Sequence, residues 1–138
     1  MGWSEVEDGD EWDEFVTINR GSIFHLWSWR KVLEDTYSKP LYLAYRDSDG
    51  EILAVCPFFY RTGRLLWYLD SLPESHSAGP IISNHVTDIS RLLTALRKSV
   101  RFSPFKPAVA MRIRTEKHEI IEPMTNLGFG YTVTQLFI

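Results

Sequence analysis

KPLYLAYRDSDGEILAVCPFFYRTGRLLWYLDSLPESHSAGP, residues 39–80, is the stretch on which the fold turns. Leu41, Leu43 and Tyr45 alternate with Tyr42, Ala44 and Arg46, the period-2 pattern of a β-strand. Asp49-Gly50 follows, a pair that tolerates the positive φ angles of a tight hairpin. Residues 52–60 are apolar almost without a break, as expected of a strand covered on both faces. Pro57 interrupts that run, and a proline cannot donate to a ladder, so an edge or a bulge is expected beside Cys56-Pro57. Residues 65–69 supply a third strand. Residues 70–80 are a loop by composition, which Ile81-Ile82 closes with a short pairing.

Outward from this block the chain reads as helical on both sides. Asp10 is the expected N-cap of a first helix that carries Trp12, Phe15 and Val16 and ends near residue 19. Arg20-Gly21-Ser22 breaks it, and a second helix runs to about residue 37 with Leu26, Trp29, Leu33 and Tyr37 on one stripe. Residues 1–7 suit a short first strand. Beyond the block, Asn84 or Thr87 is expected to cap a third helix striped by Ile89, Leu92, Leu93, Leu96 and Val100. Residues 108–114 alternate again, with Arg112 and Arg114 outward. Residues 116–127 read as a helix that Pro123 must kink, unless it marks the first turn of a second piece, and Gly128 as its C-cap. Residues 130–138 read as a last strand, and its end on Leu136-Phe137-Ile138, without a polar tail, suggests a longer parent protein.

The whole is expected to be one domain over residues 1–138, a length that can bury roughly 70% of its unfolded surface. A net charge of −3 and a pI near 5.8 give no global reason to bind DNA. The N-terminal part is acidic and the later part basic, which two solvated faces explain. Cys56 is the only cysteine, so disulfide frameworks and cysteine zinc sites are excluded, and the four histidines lack metal-ligand spacing. No basic region followed by an apolar stretch opens the chain and no run approaches ~20 apolar residues, so no membrane span and a cytoplasmic location are expected.

The order (strand), helix, helix, three strands, helix, strand, helix, strand resembles the GNAT acyltransferase fold: an α+β (α/β) architecture with a mixed, mainly antiparallel sheet and helices on both faces. More narrowly, residues 12–16 (WDEFV), 23–29 (IFHLWSW), 55–58 (VCPF), and Ser71-Leu72-Pro73 followed by Gly79-Pro80 resemble the N-terminal half of FemAB-like acyltransferases, which carry two GNAT-type halves in tandem. The resemblance implies transfer of an acyl or aminoacyl group to an amine, a small amine or a cell-wall-type acceptor. The donor of the full-length protein would be acyl-CoA or aminoacyl-tRNA, with no cofactor held in this chain alone. The partner would be a second GNAT-like half or another copy of the chain. Two departures stand out. No second half is present, and the glycine-spaced loop that cradles the CoA pyrophosphate before the third helix is replaced by Gly79-Pro80-Ile81-Ile82-Ser83-Asn84-His85. The expected function is therefore the acceptor-side half of an N-acyltransferase with little activity alone. The alternatives are a non-catalytic GNAT-like binding or assembly module and a complete single-domain N-acetyltransferase.

His76, flanked by carboxyl and hydroxyl side chains, is the candidate general base, since an imidazole titrates near working pH, and Asp70 is the second catalytic candidate. Tyr68, Asp70 and His76 form the expected polar cluster at the end of the third strand, and the loop to Gly79 is where the resemblance places an acceptor. The resemblance also implies that Phe24, His25 and Trp27 border the acceptor groove. Cys56, in its apolar run, is expected to be a core residue.

Overall fold

A computed structural model describes residues 2–37, 39–62, 67–72, 78–102, 110–115 and 118–130. Six strands and four helices are described: β1 (Gly2–Glu5), α1 (Gly9–Ile18), α2 (Trp27–Tyr37), β2 (Pro40–Arg46), β3 (Ile52–Thr62), β4 (Trp67–Asp70), β5 (Ile81–Ile82), α3 (Ile89–Phe102), β6 (Ala110–Arg112) and α4 (His118–Asn126), with a 3-10 turn over Ile23–His25 between the first two helices. The sheet runs β1-β2-β3-β4-β6, antiparallel except for the parallel β4–β6 pair, and β5 pairs with β3.

The alternation in β2 sorts its side chains onto two cores. Leu41, Leu43 and Tyr45 join Cys56, Phe58 and Leu69 beneath Leu92, Leu93 and Leu96 of α3 and Ile120 of α4. Tyr42 and Ala44 join Val55, Phe59 and Ile81 beneath Trp12, Phe15 and Val16 of α1 and Leu33 of α2. Helices thus cover both faces of the sheet, and a strand shielded on both sides has no polar face.

The hairpin forms where Asp49-Gly50 places it. Gly50 has φ of 85°, and one Asp47 carboxylate oxygen accepts the Asp49 and Glu51 N–H groups at 2.8 and 3.0 Å. Pro57 is accommodated without a bulge, because Tyr42 faces Pro57 in an unbroken register. The register instead shifts between Tyr45 and Arg46. The Tyr60 N–H bonds the Lys39 carbonyl on the β2 side, so by alternation Pro57 faces the other edge. On that edge β3 pairs with β5 at Ala54 and Val55 and with β4 from Phe59 onward. The missing N–H falls in the gap between two partners, where no ladder bond is required.

Helix boundaries differ from the sequence reading in small ways with clear causes. α1 starts two residues early because Asp8, not Asp10, is its N-cap, with its carboxylate accepting the Asp10 and Glu11 N–H groups. The stretch read as one second helix opens with the separate 3-10 turn, after which Leu26, in extended conformation, re-aims α2. Neither Asn84 nor Thr87 caps α3; the Asp88 carboxylate accepts the Arg91 N–H at 3.0 Å. Pro123 lies inside one continuous α4. Gly128, with φ of 93°, ends α4: its N–H reaches the Thr125 carbonyl and that of Phe129 the Met124 carbonyl, the Schellman pairing. The last strand expected over 130–138 falls at 131–138 outside the described residues.

Candidate functional site

β4 and β5 lie on the same edge of β3, and between them the chain makes an excursion. Ten residues separate Asp70 from Ile81, whereas three separate Val55 from Phe59 opposite, so the connection has seven residues more than the strand line it accompanies. The exit is anchored by charge. The buried Asp70 carboxylate receives Arg114 through both terminal nitrogens, Nη1 on Oδ1 and Nη2 on Oδ2, the latter at 3.3 Å, and receives Arg61 Nη1 at 3.2 Å. Arg114 Nη1 also donates to the Ser71 carbonyl at 3.0 Å, and the Arg114 N–H donates to Ser71 Oγ at 2.7 Å. The Ser71 N–H in turn bonds the Arg112 carbonyl at 2.9 Å. Leu72, buried at φ of 38°, turns the chain in the left-handed region, which costs a branched residue about 1 kcal/mol. Tyr68 is half-buried, with the Arg61 and Arg112 guanidinium carbons each 5.9 Å from its ring centre.

The return of the excursion is anchored by His25. Its Nδ1 lies 3.1 Å from the Ser22 nitrogen and 2.8 Å from Ser22 Oγ, and its Nε2 lies 2.8 Å from the Gly79 carbonyl. A backbone N–H can only donate, so Nδ1 is the acceptor and the proton sits on Nε2, aimed at Gly79. The His25 carbonyl accepts Trp12 Nε1–H at 2.6 Å, which ties the same turn to α1. Gly79 is buried against the segment that follows β6: a Cβ there would stand 2.6 Å from the Arg114 carbonyl oxygen and 2.9 Å from Thr115 Cβ.

Beside this bridge lies an aromatic cluster on the α1/α2 face. Phe24 meets Trp29 edge-on at 5.2 Å. Trp27 contacts Tyr42 edge-on at 5.4 Å, and the Arg30 guanidinium carbon sits 4.2 Å from the Trp27 ring centre and 4.9 Å from that of Tyr42. Arg30 Nε pairs with Glu34 at 2.8 Å, but Arg30 Nη1 and Tyr42 Oη are buried without a hydrogen-bond partner. Burial holds the Tyr42 phenol well above its ordinary range, more than the nearby Arg30 charge lowers it.

On the opposite face a cavity of about 180 Å³ opens between the end of β5 and the N-terminal ends of α3 and α4. Ile82, Val86, Ile89 and Ile120 supply its apolar lining, and Ser83, Asn84 and Glu119 its polar lining. Its backbone donors are partly committed. The His85 N–H lies 3.3 Å from Ser83 Oγ, the Val86 N–H 3.0 Å from the Ser83 carbonyl, and the Arg91 N–H is taken by Asp88. A diphosphate of the coenzyme A kind needs such N–H groups free and uncontested by carboxylates. The described residues here do not fit that group.

The fold is that of GNAT acetyltransferases. No protein-family model matches the chain, and no curated protein matches it. Solved structures do, with TM-scores that include 0.53 and 0.62. One is a probable acetyltransferase, at a TM-score of 0.57 and 14% identity, with 100% of this chain and 98% of that one covered. A second is the aminoglycoside 6'-N-acetyltransferase of Acinetobacter haemolyticus, at 0.59 and 16%, covering 100% and 97%. A third is the glucosamine-6-phosphate N-acetyltransferase of Arabidopsis thaliana, at 0.55 and 9%, covering 99% and 95%. The likeness lends no support to a FemAB-like or tandem-half assignment.

Of the residues singled out in the sequence, the structure brings His25 and Gly79 into direct contact, and places Tyr68 and Asp70 on one strand beside Arg61. His76 lies outside the described residues. Phe24 and Trp27 are half-buried near His25 in the chain, within the aromatic cluster. Sequence reasoning missed Arg61, Arg114 as a partner of Asp70, Arg30, and the cavity residues Ser83 and Glu119. Only Arg61 carried a signal, as the single charge in the apolar third of the hairpin, and its partner depends on the β3–β4 register. Among the described residues no group of three potential ligands could hold a metal ion, and no helix is long and apolar enough to cross a membrane.

Proposed function

We propose that this chain is a one-domain N-acetyltransferase, passing an acetyl group from a thioester to an amine. The observation that supports it is the end-to-end correspondence with acetyltransferases, 95–98% of whose length falls within this one chain. Two of those proteins are named for amine-bearing acceptors, an aminoglycoside and glucosamine 6-phosphate, so amino sugars are the first acceptors to try. The reading as an acceptor-side half draws nothing from these neighbours, since they leave no second half to supply.

Within this reading His76 is the general base, and Asp70 is the anchor that sets the exit of the loop carrying it. The experiment is an acetyl-transfer assay with acetyl-CoA and S-acetylpantetheine against a panel of amino sugars and diamines, following free thiol. The buried Cys56, whose thiol burial pushes up, leaves that readout without a protein background. Transfer above the uncatalysed rate is expected, with His76→Gln lowering kcat by about 10²–10⁴-fold and leaving the unfolding midpoint unchanged. No transfer to any amine from either donor refutes the reading.

The committed donors beside the cavity favour a second reading, a non-catalytic binding module. It predicts that a thioester or amine raises the melting temperature while no product forms.

A further inference from the structure

Two helices begin at the 180 Å³ cavity, and each begins with its own carboxylate. At α3 the Asp88 side chain already accepts the Arg91 N–H, and at α4 Glu119 stands in the first turn and lines the cavity. A carboxylate at a helix N-terminus cancels the partial positive charge that would otherwise attract an anion. In the loop between β5 and α3 the His85 and Val86 N–H groups turn back onto Ser83 and are not offered to an anion. Among the described residues Glu119 is the only ionisable side chain in the lining; Ile82, Val86, Ile89 and Ile120 form an aliphatic wall, with Ser83 and Asn84 as its uncharged polar groups.

From this we infer that the cavity takes the uncharged arm of a thioester, of the pantetheine kind, and discriminates against the diphosphate that coenzyme A appends to it. The inference rests on the acetyltransferase reading for the identity of the ligand, and it goes beyond it in assigning the donor class. The volume suits such an arm: room for about six water-sized groups accommodates an amide and a few methylenes, with the remainder outside. The half-buried Ile82, Val86 and Ile89 gain cover from its methylenes, and the side-chain amide of Asn84 offers a polar partner for its amide. A diphosphate following that arm passes the exposed Glu119 and Asp88 carboxylates at the two helix N-termini, and like charges disfavour binding.

The test is binding to the whole chain by isothermal titration, with S-acetylpantetheine, acetyl-CoA and adenosine 3',5'-bisphosphate as probes. S-acetylpantetheine is expected to bind at least as tightly as acetyl-CoA, and the bisphosphate not at all. Raising the salt is expected to strengthen acetyl-CoA binding, since screening relieves the repulsion. Asp88→Ser keeps a helix cap and Glu119→Gln keeps its shape, and both positions are exposed, so the double variant folds. It is expected to tighten acetyl-CoA at least tenfold relative to S-acetylpantetheine. Acetyl-CoA binding tenfold tighter than S-acetylpantetheine overturns the inference, as does a failure of both to bind at millimolar concentration. Transfer to amines is scored separately, so the acetyltransferase reading stands or falls on product formation and the inference on relative affinity.

Discussion

Asp70 is the hub of the exit from β4, yet removing it should cost less than removing the arginine that holds it. The carboxylate is fully buried, while the Arg61 and Arg114 side chains are 34% and 29% exposed. In Asp70→Asn the buried charge disappears together with its desolvation cost, the amide still offers an acceptor, and both guanidinium groups can reach water. A net loss of about 1–2 kcal/mol follows, below the roughly 1.5–3 kcal/mol of hydrogen bonds to charged groups because the desolvation cost is relieved as well. In Arg114→Met the buried carboxylate keeps, among the described residues, only Arg61, at 3.2 Å, and the Ser71 carbonyl loses the Nη1 donor. Breaking a buried pair so as to strand its charge costs about 3–5 kcal/mol. The double variant should be more stable than Arg114→Met alone, with a coupling of about 1–3 kcal/mol between the sites. Urea unfolding followed by tryptophan fluorescence measures all three. With a slope of about 2 kcal/mol/M, Arg114→Met moves the midpoint down by about 1.5–2.5 M and Asp70→Asn by less than 1 M. If Asp70→Asn proves the more destabilising, the electrostatic argument is wrong. If it abolishes acetyl transfer at an unchanged midpoint, Asp70 belongs to the chemistry rather than to the anchor.

Tyr42→Phe removes a buried hydroxyl that has no partner, so it should leave stability unchanged or raise it by about 1 kcal/mol, where removing a satisfied hydroxyl would lower it; a fall above 1 kcal/mol in the same urea assay counts against the burial argument. Gly79→Ala puts a methyl 2.6 Å from a backbone oxygen that cannot swing aside, and a loss of about 1–3 kcal/mol should appear as a lowered melting temperature. The bidentate Arg46–Glu11 pair, at 2.7 and 2.8 Å, holds Glu11 below its ordinary value through the Arg46 hydrogen bond. Its stabilisation is present in full above that ordinary value and is lost as the pH falls through the depressed one. Because both side chains are partly exposed, Glu11→Gln should cost only about 0.5 kcal/mol at pH 7, and its urea midpoint should merge with that of the parent once the pH falls below the depressed Glu11 value.

What the residues by themselves determined is local or periodic. The alternation through Leu41, Leu43 and Tyr45 assigned each side chain to a face before any neighbour was known, because a strand's side-chain period is a property of its own backbone. Asp49-Gly50 and Gly128 marked their turns for the same reason, as positive φ is a requirement of one residue. The stripe of α3 named its buried face, and the succession of elements was enough to expect a GNAT-like sheet. The candidate site was legible only in part. Asp70, His25 and Gly79 stood out as residues, but their partners lie 44 and 54 positions apart in the chain. The Asp70–Arg114 clamp depends on β4 lying parallel to β6, and Arg61 reaches Asp70 only through the β3–β4 register. The place of Pro57 in the gap between β4 and β5 follows from the same exchange of partners. Tertiary structure decided these, because a charge or a missing N–H is satisfied by what the fold brings beside it, and no local pattern encodes that neighbour.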